Sequence, residues 1–105
     1  MITINGRKYI GLFKGLPYGD YNESIEDYKR DNCLIDRKLI INRFKSLTGA
    51  YTSEPTYDIF TGEQFPAGLC ADGDFIFTTD FIRYYNQDKV NIPKEYEEYL
   101  LEQIT

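Results

Sequence analysis

Histidine is absent from this chain. Its absence removes the commonest general base, the usual partner of a serine or cysteine nucleophile, and the commonest zinc ligand. Cysteine is scarce. Cys33 and Cys70 lie far apart and match no metal-binding spacing. A cysteine nucleophile needs a nearby cation or helix terminus to hold its thiolate, and Arg30 alone, one helical turn before Cys33, is a thin basis for one. Both cysteines read as small, half-buried apolar residues and, in a reducing compartment, as free thiols. No run of about twenty apolar residues is present, so no membrane-spanning helix is expected. The opening MITINGRKYIGLF has no long apolar run after a basic start, which points to a cytoplasmic protein.

Basic residues are also in short supply, with twelve Lys and Arg against seventeen Asp and Glu, a net charge of -5. That balance disfavours direct binding to nucleic acid, which needs clustered cations. The acid is concentrated in the second half: residues 1–53 carry a net +3 and residues 54–105 a net −8. Such a half can be an ordinary solvated surface, or it can steer a basic partner by long-range attraction. No phosphate loop is found, because GLPYGDY lacks both the glycine spacing and the Lys-Ser/Thr pair.

The apolar content is sufficient for one core. At 105 residues, 42% hydrophobic and 16% aromatic, the chain is expected to form a single domain spanning 1–105. Asn5-Gly6 between two runs rich in Ile, Tyr and Phe predicts a β-hairpin. The loop GLPYGDY follows, holding Leu16, Tyr18 and Tyr21, and then a short helix capped at Ser24 and stopped at Asp31-Asn32. A second helix is expected from Asp36, with Ile40, Phe44 and Leu47 as its apolar stripe and Arg37, Lys38, Arg43 and Lys45 in water. KLIINRF fits a strand less well, since its alternation is poor.

AYTS, TYDIF, FPAGL and FIFT read as short strands. Breaks fall at Glu54-Pro55, at Thr61 to Glu63, at Pro66 and at the Asp72-Gly73 turn. Thr78 or Thr79 caps a third helix that buries Phe81, Ile82 and Tyr85, with Asp80 in its first turn. Pro93 opens a fourth with the stripe Tyr96, Leu100 and Ile104. The expected fold is α+β, a small antiparallel sheet with short helices packed on one side.

Asp72, Asp74 and Asp80 look at first like an acidic metal site. An EF-hand loop, however, spreads oxygen ligands over about twelve residues, and Phe75 to Phe77 supply none. Turn and cap account for these aspartates better, and no metal or cofactor is expected. Paired carboxylates for acid–base work need a cleft that a domain of this size rarely builds, so an enzyme is not the expectation. The remaining excess is tyrosine, with ten. Tyr84 and Tyr99 fall off the expected core stripes, beside Asp88, Glu95, Glu97, Glu98 and Glu102. Exposed tyrosines among carboxylates suit a basic protein partner. Tyr84, Asp88, Glu95, Glu97, Glu98 and Tyr99 are the candidate partner-binding set.

YDIFTGE (57–63) and DGDFIFTTDFIRYYNQDKVNIPKEYEEYL (72–100) resemble segments of short bacterial proteins similar to the immunity proteins of toxin systems. Phe77 stands where that group carries tryptophan, and the similarity spans under half the chain. The resemblance implies a small cytoplasmic inhibitor that binds and blocks a cognate toxin. It transfers no functional residues. The leading expectation is therefore an immunity-type inhibitor of a basic, nuclease-like toxin. Two alternatives are an anti-defence inhibitor of a phage or mobile element that mimics nucleic-acid charge, and a small ligand-binding domain or enzyme.

Overall fold

The structure is a computed structural model describing residues 1–15, 19–30 and 33–104, Ile104 by its backbone alone. The expectations for Leu16, Tyr18, the Asp31-Asn32 stop and the Ile104 side chain lie outside the described residues. Five strands form one sheet: β1 (Ile2–Ile4), β2 (Arg7–Ile10), β3 (Gly49–Tyr57), β4 (Gln64–Asp72) and β5 (Phe75–Thr78), in the order β1-β2-β5-β4-β3. Three helices accompany it: α1 (Arg37–Ser46), α2 (Thr79–Asn86) and α3 (Lys94–Ile104). A 3-10 turn covers Ile25–Tyr28. The α+β class is as expected. The sheet is mixed rather than wholly antiparallel, because β5 inserts beside β2 and runs parallel to it.

The local signals act where their chemistry requires. Asn5 and Gly6 both take positive φ, 52° and 78°, as the hairpin turn between β1 and β2 demands. The Asp36 side chain accepts from the Lys38 N–H and caps α1. Thr78 Oγ1 accepts from the Phe81 N–H at 3.1 Å and donates to the Gly11 carbonyl at 2.8 Å, so one hydroxyl caps α2 and ties it to the end of β2. The turn from β4 to β5 is Gly73-Asp74, one residue later than expected, with Asp72 paired to Phe75 as the last strand position.

Two prolines do not break strands as expected. β3 runs through Pro55 because it is the edge strand, and its register shifts between Tyr51 and Pro55. Pro66 lies in β4 opposite Pro55, beyond the segment of β4 that pairs with β5.

The central position of β5 explains why all four of its residues are buried. Phe77 is the hub. Phe44 of α1, Phe81 of α2 and Tyr96 of α3 place their rings 4.9, 5.7 and 4.6 Å from it, so all three helices pack on the sheet face that carries Phe75 and Phe77. Asp72 and Lys8 pair with Phe75 and Cys70 with Phe77, so they share that face. Both cysteines are free, and burial pushes both thiols up. Among the described residues no helix is long and apolar enough to cross a membrane.

Candidate functional site

The opening turn of α3 follows Pro93, whose carbonyl accepts from the Glu97 N–H. Helical spacing then separates two faces. Tyr96 and Leu100 turn into the core, while Glu95, Glu98 and Glu102 recur on the solvent side. The β4–β5 turn brings Asp74 up against that side. The result is a groove of about 310 Å³ in which Glu95, Glu98, Glu102 and Asp74 surround Tyr99. Among the described residues Lys8 is the one cation lining it, and its ammonium sits 5.0 Å from the centre of the Phe75 ring.

Tyr99 is held rather than loose. Its ring stacks on Tyr96 at 6.0 Å and lies 5.3 Å from Phe75, and its hydroxyl donates to Asp72 Oδ1 at 3.3 Å. That hydroxyl occupies the space where a side chain at residue 73 would stand: a Cβ there would come within 2.7 Å of it. With φ at +62°, only glycine suits the position.

Behind the groove lies Asp72, buried and hydrogen-bonded on both oxygens. Arg43 donates to it from Nε at 2.6 Å and from Nη2 at 2.9 Å, and the Tyr96 hydroxyl donates at 2.6 Å. Burial opposes the ionisation of Asp72, but these donors outweigh it and hold the carboxyl below the usual carboxylate range. Arg43, expected in water, is a clamp joining α1 to β4. Asp80 stands in the first turn of α2 as expected, fully buried, and accepts from Thr56 Oγ1 at 2.7 Å. Asp72 and Asp80 are thus each engaged by protein donors. Among the described residues no group of three or more His, Cys, Asp or Glu side chains is placed to hold a metal.

Of the six residues in the candidate set, Glu95, Glu98 and Tyr99 meet in the groove. The other three do not. Glu97 is buried between α3 and the segment before α1, accepting from Arg30 Nη2 at 3.0 Å and from the Leu34 N–H at 2.7 Å. Burial works against its charge, yet Cys33, the Leu34 N–H and Arg30 together hold its carboxyl below the ordinary range. Asp88 is exposed but lies elsewhere, 2.7 Å from Arg37 in a turn of φ 61°.

Tyr84 is the clearest correction, with an exposure of 0%. Helical periodicity places it off the stripe, but the β3–β4 loop folds back over α2 and covers it. Its hydroxyl accepts from the Ile59 N–H at 3.0 Å, and its ring meets Phe60 edge-on at 5.5 Å. The loop is fixed from within by Asp58, whose Oδ1 accepts from the Phe60 and Thr61 N–H groups at 2.7 and 3.1 Å. Its Oδ2 accepts from Arg83 at 2.8 Å and from Gln87 at 3.0 Å. Ile59 and Phe60 are consequently exposed on a rigid loop, beside the exposed Tyr57 that ends β3. Tyr84→Phe is expected to cost about 1 kcal/mol. It should accelerate hydrogen exchange at the Ile59 amide, which loses its acceptor.

Glu102 joins Glu95, Glu98 and Tyr99 from the same helix, while Asp74 and Lys8 are groove residues that the sequence did not mark as part of the partner face. Their signal is tertiary, since a β-turn, a helix and a strand meet only in the folded chain. Comparison of the chain with family models, curated proteins and solved structures finds no match.

Proposed function

We propose that this chain is a small cytoplasmic inhibitor of the immunity type, which binds a basic, nuclease-like toxin through the acidic groove of α3. The observation that carries this reading is the convergence of four carboxylates around an anchored tyrosine. The carboxylates supply a negative field where a nuclease would otherwise hold substrate phosphates. Tyr99 supplies rigid contact area at little entropic cost. The net −8 of the second half of the chain extends that field, so association is fast and falls with added salt. Blocking by occlusion needs no catalytic group, in keeping with a chain that has no histidine.

Co-expression with a basic toxin encoded beside this gene tests the proposal. Growth is restored by the wild-type chain and by Tyr84→Phe, but not by Glu95→Lys/Glu98→Lys. Equal protection by all three chains, or protection by none, would refute it.

A further inference from the structure

On the other side of Glu97 from the acidic groove, the charge reverses. Lys29, Arg30, Arg37 and Lys89 line a second groove of about 420 Å³, and among the described residues Asp88 is the carboxylate that lines it with them. A third of the chain's twelve basic residues are gathered at this one place on an acidic protein.

The walls are built and tied together. The Asn91 N–H donates to the Tyr28 carbonyl at 2.8 Å, and Asn91 Nδ2 donates to the Arg30 carbonyl at 3.0 Å, so the segment 88–91 is stitched to 28–30. Arg37 is held by the Tyr85 and Val90 carbonyls at 2.8 and 3.2 Å and lies 4.0 Å from the centre of the Tyr85 ring. Arg30 donates to the Ile92 carbonyl at 2.9 Å. Carbonyls and rings orient a guanidinium without cancelling its charge.

The carboxylates that do offset charge in this groove fall into two kinds. Glu97 pairs with Arg30 and is buried. Asp88 and Glu26, on Arg37 and Lys29, are 81% and 75% exposed. Exposed pairs of that sort contribute little and exchange readily. The Lys89 ammonium faces the Phe60 ring at 4.8 Å.

We propose that this groove binds the phosphate groups of a small di- or triphosphate, with Asp88 as the internal counter-ion that the ligand displaces. Cations stand on both walls, so a ligand needs several negative charges to engage Lys29 and Lys89 at once. A planar guanidinium fixed from behind suits bidentate contact with phosphate oxygens. A long polyanion would meet the negative field of the rest of the chain; a compact ligand meets far less of it. This site is independent of the α3 groove and of the function proposed for it.

NMR titration of the ¹⁵N-labelled chain at low salt, with sodium pyrophosphate and in parallel with ATP, reads the proposal directly. Saturable shifts are expected at the amides of 28–30 and 88–91. Asp88→Asn, which keeps a residue at ease with positive φ, should tighten pyrophosphate binding at least fivefold. Lys29→Gln/Lys89→Gln should weaken it at least tenfold with an unchanged melting temperature. Tighter binding of ATP than of pyrophosphate would identify a nucleotide, and equal binding the phosphates alone. Shifts that do not saturate in either the wild type or Asp88→Asn would overturn the proposal. So would shifts spread equally to Lys8 and Lys45.

Discussion

Asp72→Ala is expected to destabilise the protein by about 3 kcal/mol at neutral pH, with the difference shrinking progressively as pH falls below about 4. The substitution removes the acceptor of Arg43 and leaves the buried Tyr96 hydroxyl without its partner. Breaking a buried ion pair costs about 3–5 kcal/mol. The lower end applies here because the Arg43 side chain is 34% exposed and can rehydrate.

The pH dependence follows from the depressed carboxyl of Asp72. A group whose folded pKa lies below its unfolded value stabilises the protein above that unfolded value, about 3.9 for Asp. The contribution is lost as pH falls through the folded value. Urea unfolding of wild type and variant should therefore differ fully at pH 7 and converge in acid. A difference that persists unchanged at pH 2 would mean that packing, not charge, is what Asp72 supplies. Tyr96→Phe, which deletes one hydrogen bond and no charge, should cost about 1 kcal/mol.

At the other end of the scale, the whole fold should come apart cooperatively above pH 10. Among the described residues, four tyrosines have phenols pushed above their ordinary value, in each case chiefly by burial. At Tyr28 and Tyr96 the carboxylates of Glu23 and Asp72 add to the effect, and Tyr85 is pushed up to about 12. A raised folded pKa gives stability that is complete below the unfolded value, about 10 for tyrosine, and is lost as pH rises beyond it. Because four rings of one core are involved, their penalties accumulate over the same interval. Tyrosinate absorbance at 295 nm should show these four ionising in a single step that coincides with the loss of circular dichroism. Ionisation of all ten with the dichroism intact would contradict the packing described for Tyr28, Tyr84, Tyr85 and Tyr96.

The features legible in the sequence are those written locally. Asn5-Gly6, Asp36, Thr78 and Pro93 each act on their own turn or helix end, and each does so in the structure. The core stripe of α1 was legible for the same reason, since Ile40 and Phe44 need only one apolar neighbour face. Tyr84 was not, because helical spacing reports one packing partner and α2 is packed on several sides, with the β3–β4 loop and Phe13 closing over Tyr84. Glu97 shows the same limit with a charge. Its partner Arg30 lies 67 residues earlier, and nothing near Glu97 marks it as buried. The site divides along the same line. Glu95, Glu98 and Tyr99 share a helix and could be grouped from their spacing, whereas Asp74 and Lys8 reach the groove only through the sheet.

The opposite ends of β4 give the molecule two distinct surfaces. The acidic groove adjoins Asp72, and the rigid loop bearing Ile59 and Phe60 precedes Gln64. The strand between them has nine residues and so separates them by roughly 26 Å. The central claim is that the groove, rather than the loop or the rest of the acidic surface, holds the partner. Quantitative affinity capture from the native host, with wild type and Glu95→Lys/Glu98→Lys compared at two salt concentrations, tests it most directly. A basic protein should be retained in equimolar amount by the wild type, less so at high salt, and at least tenfold less by the variant. Equal retention of that protein by both chains would contradict the claim.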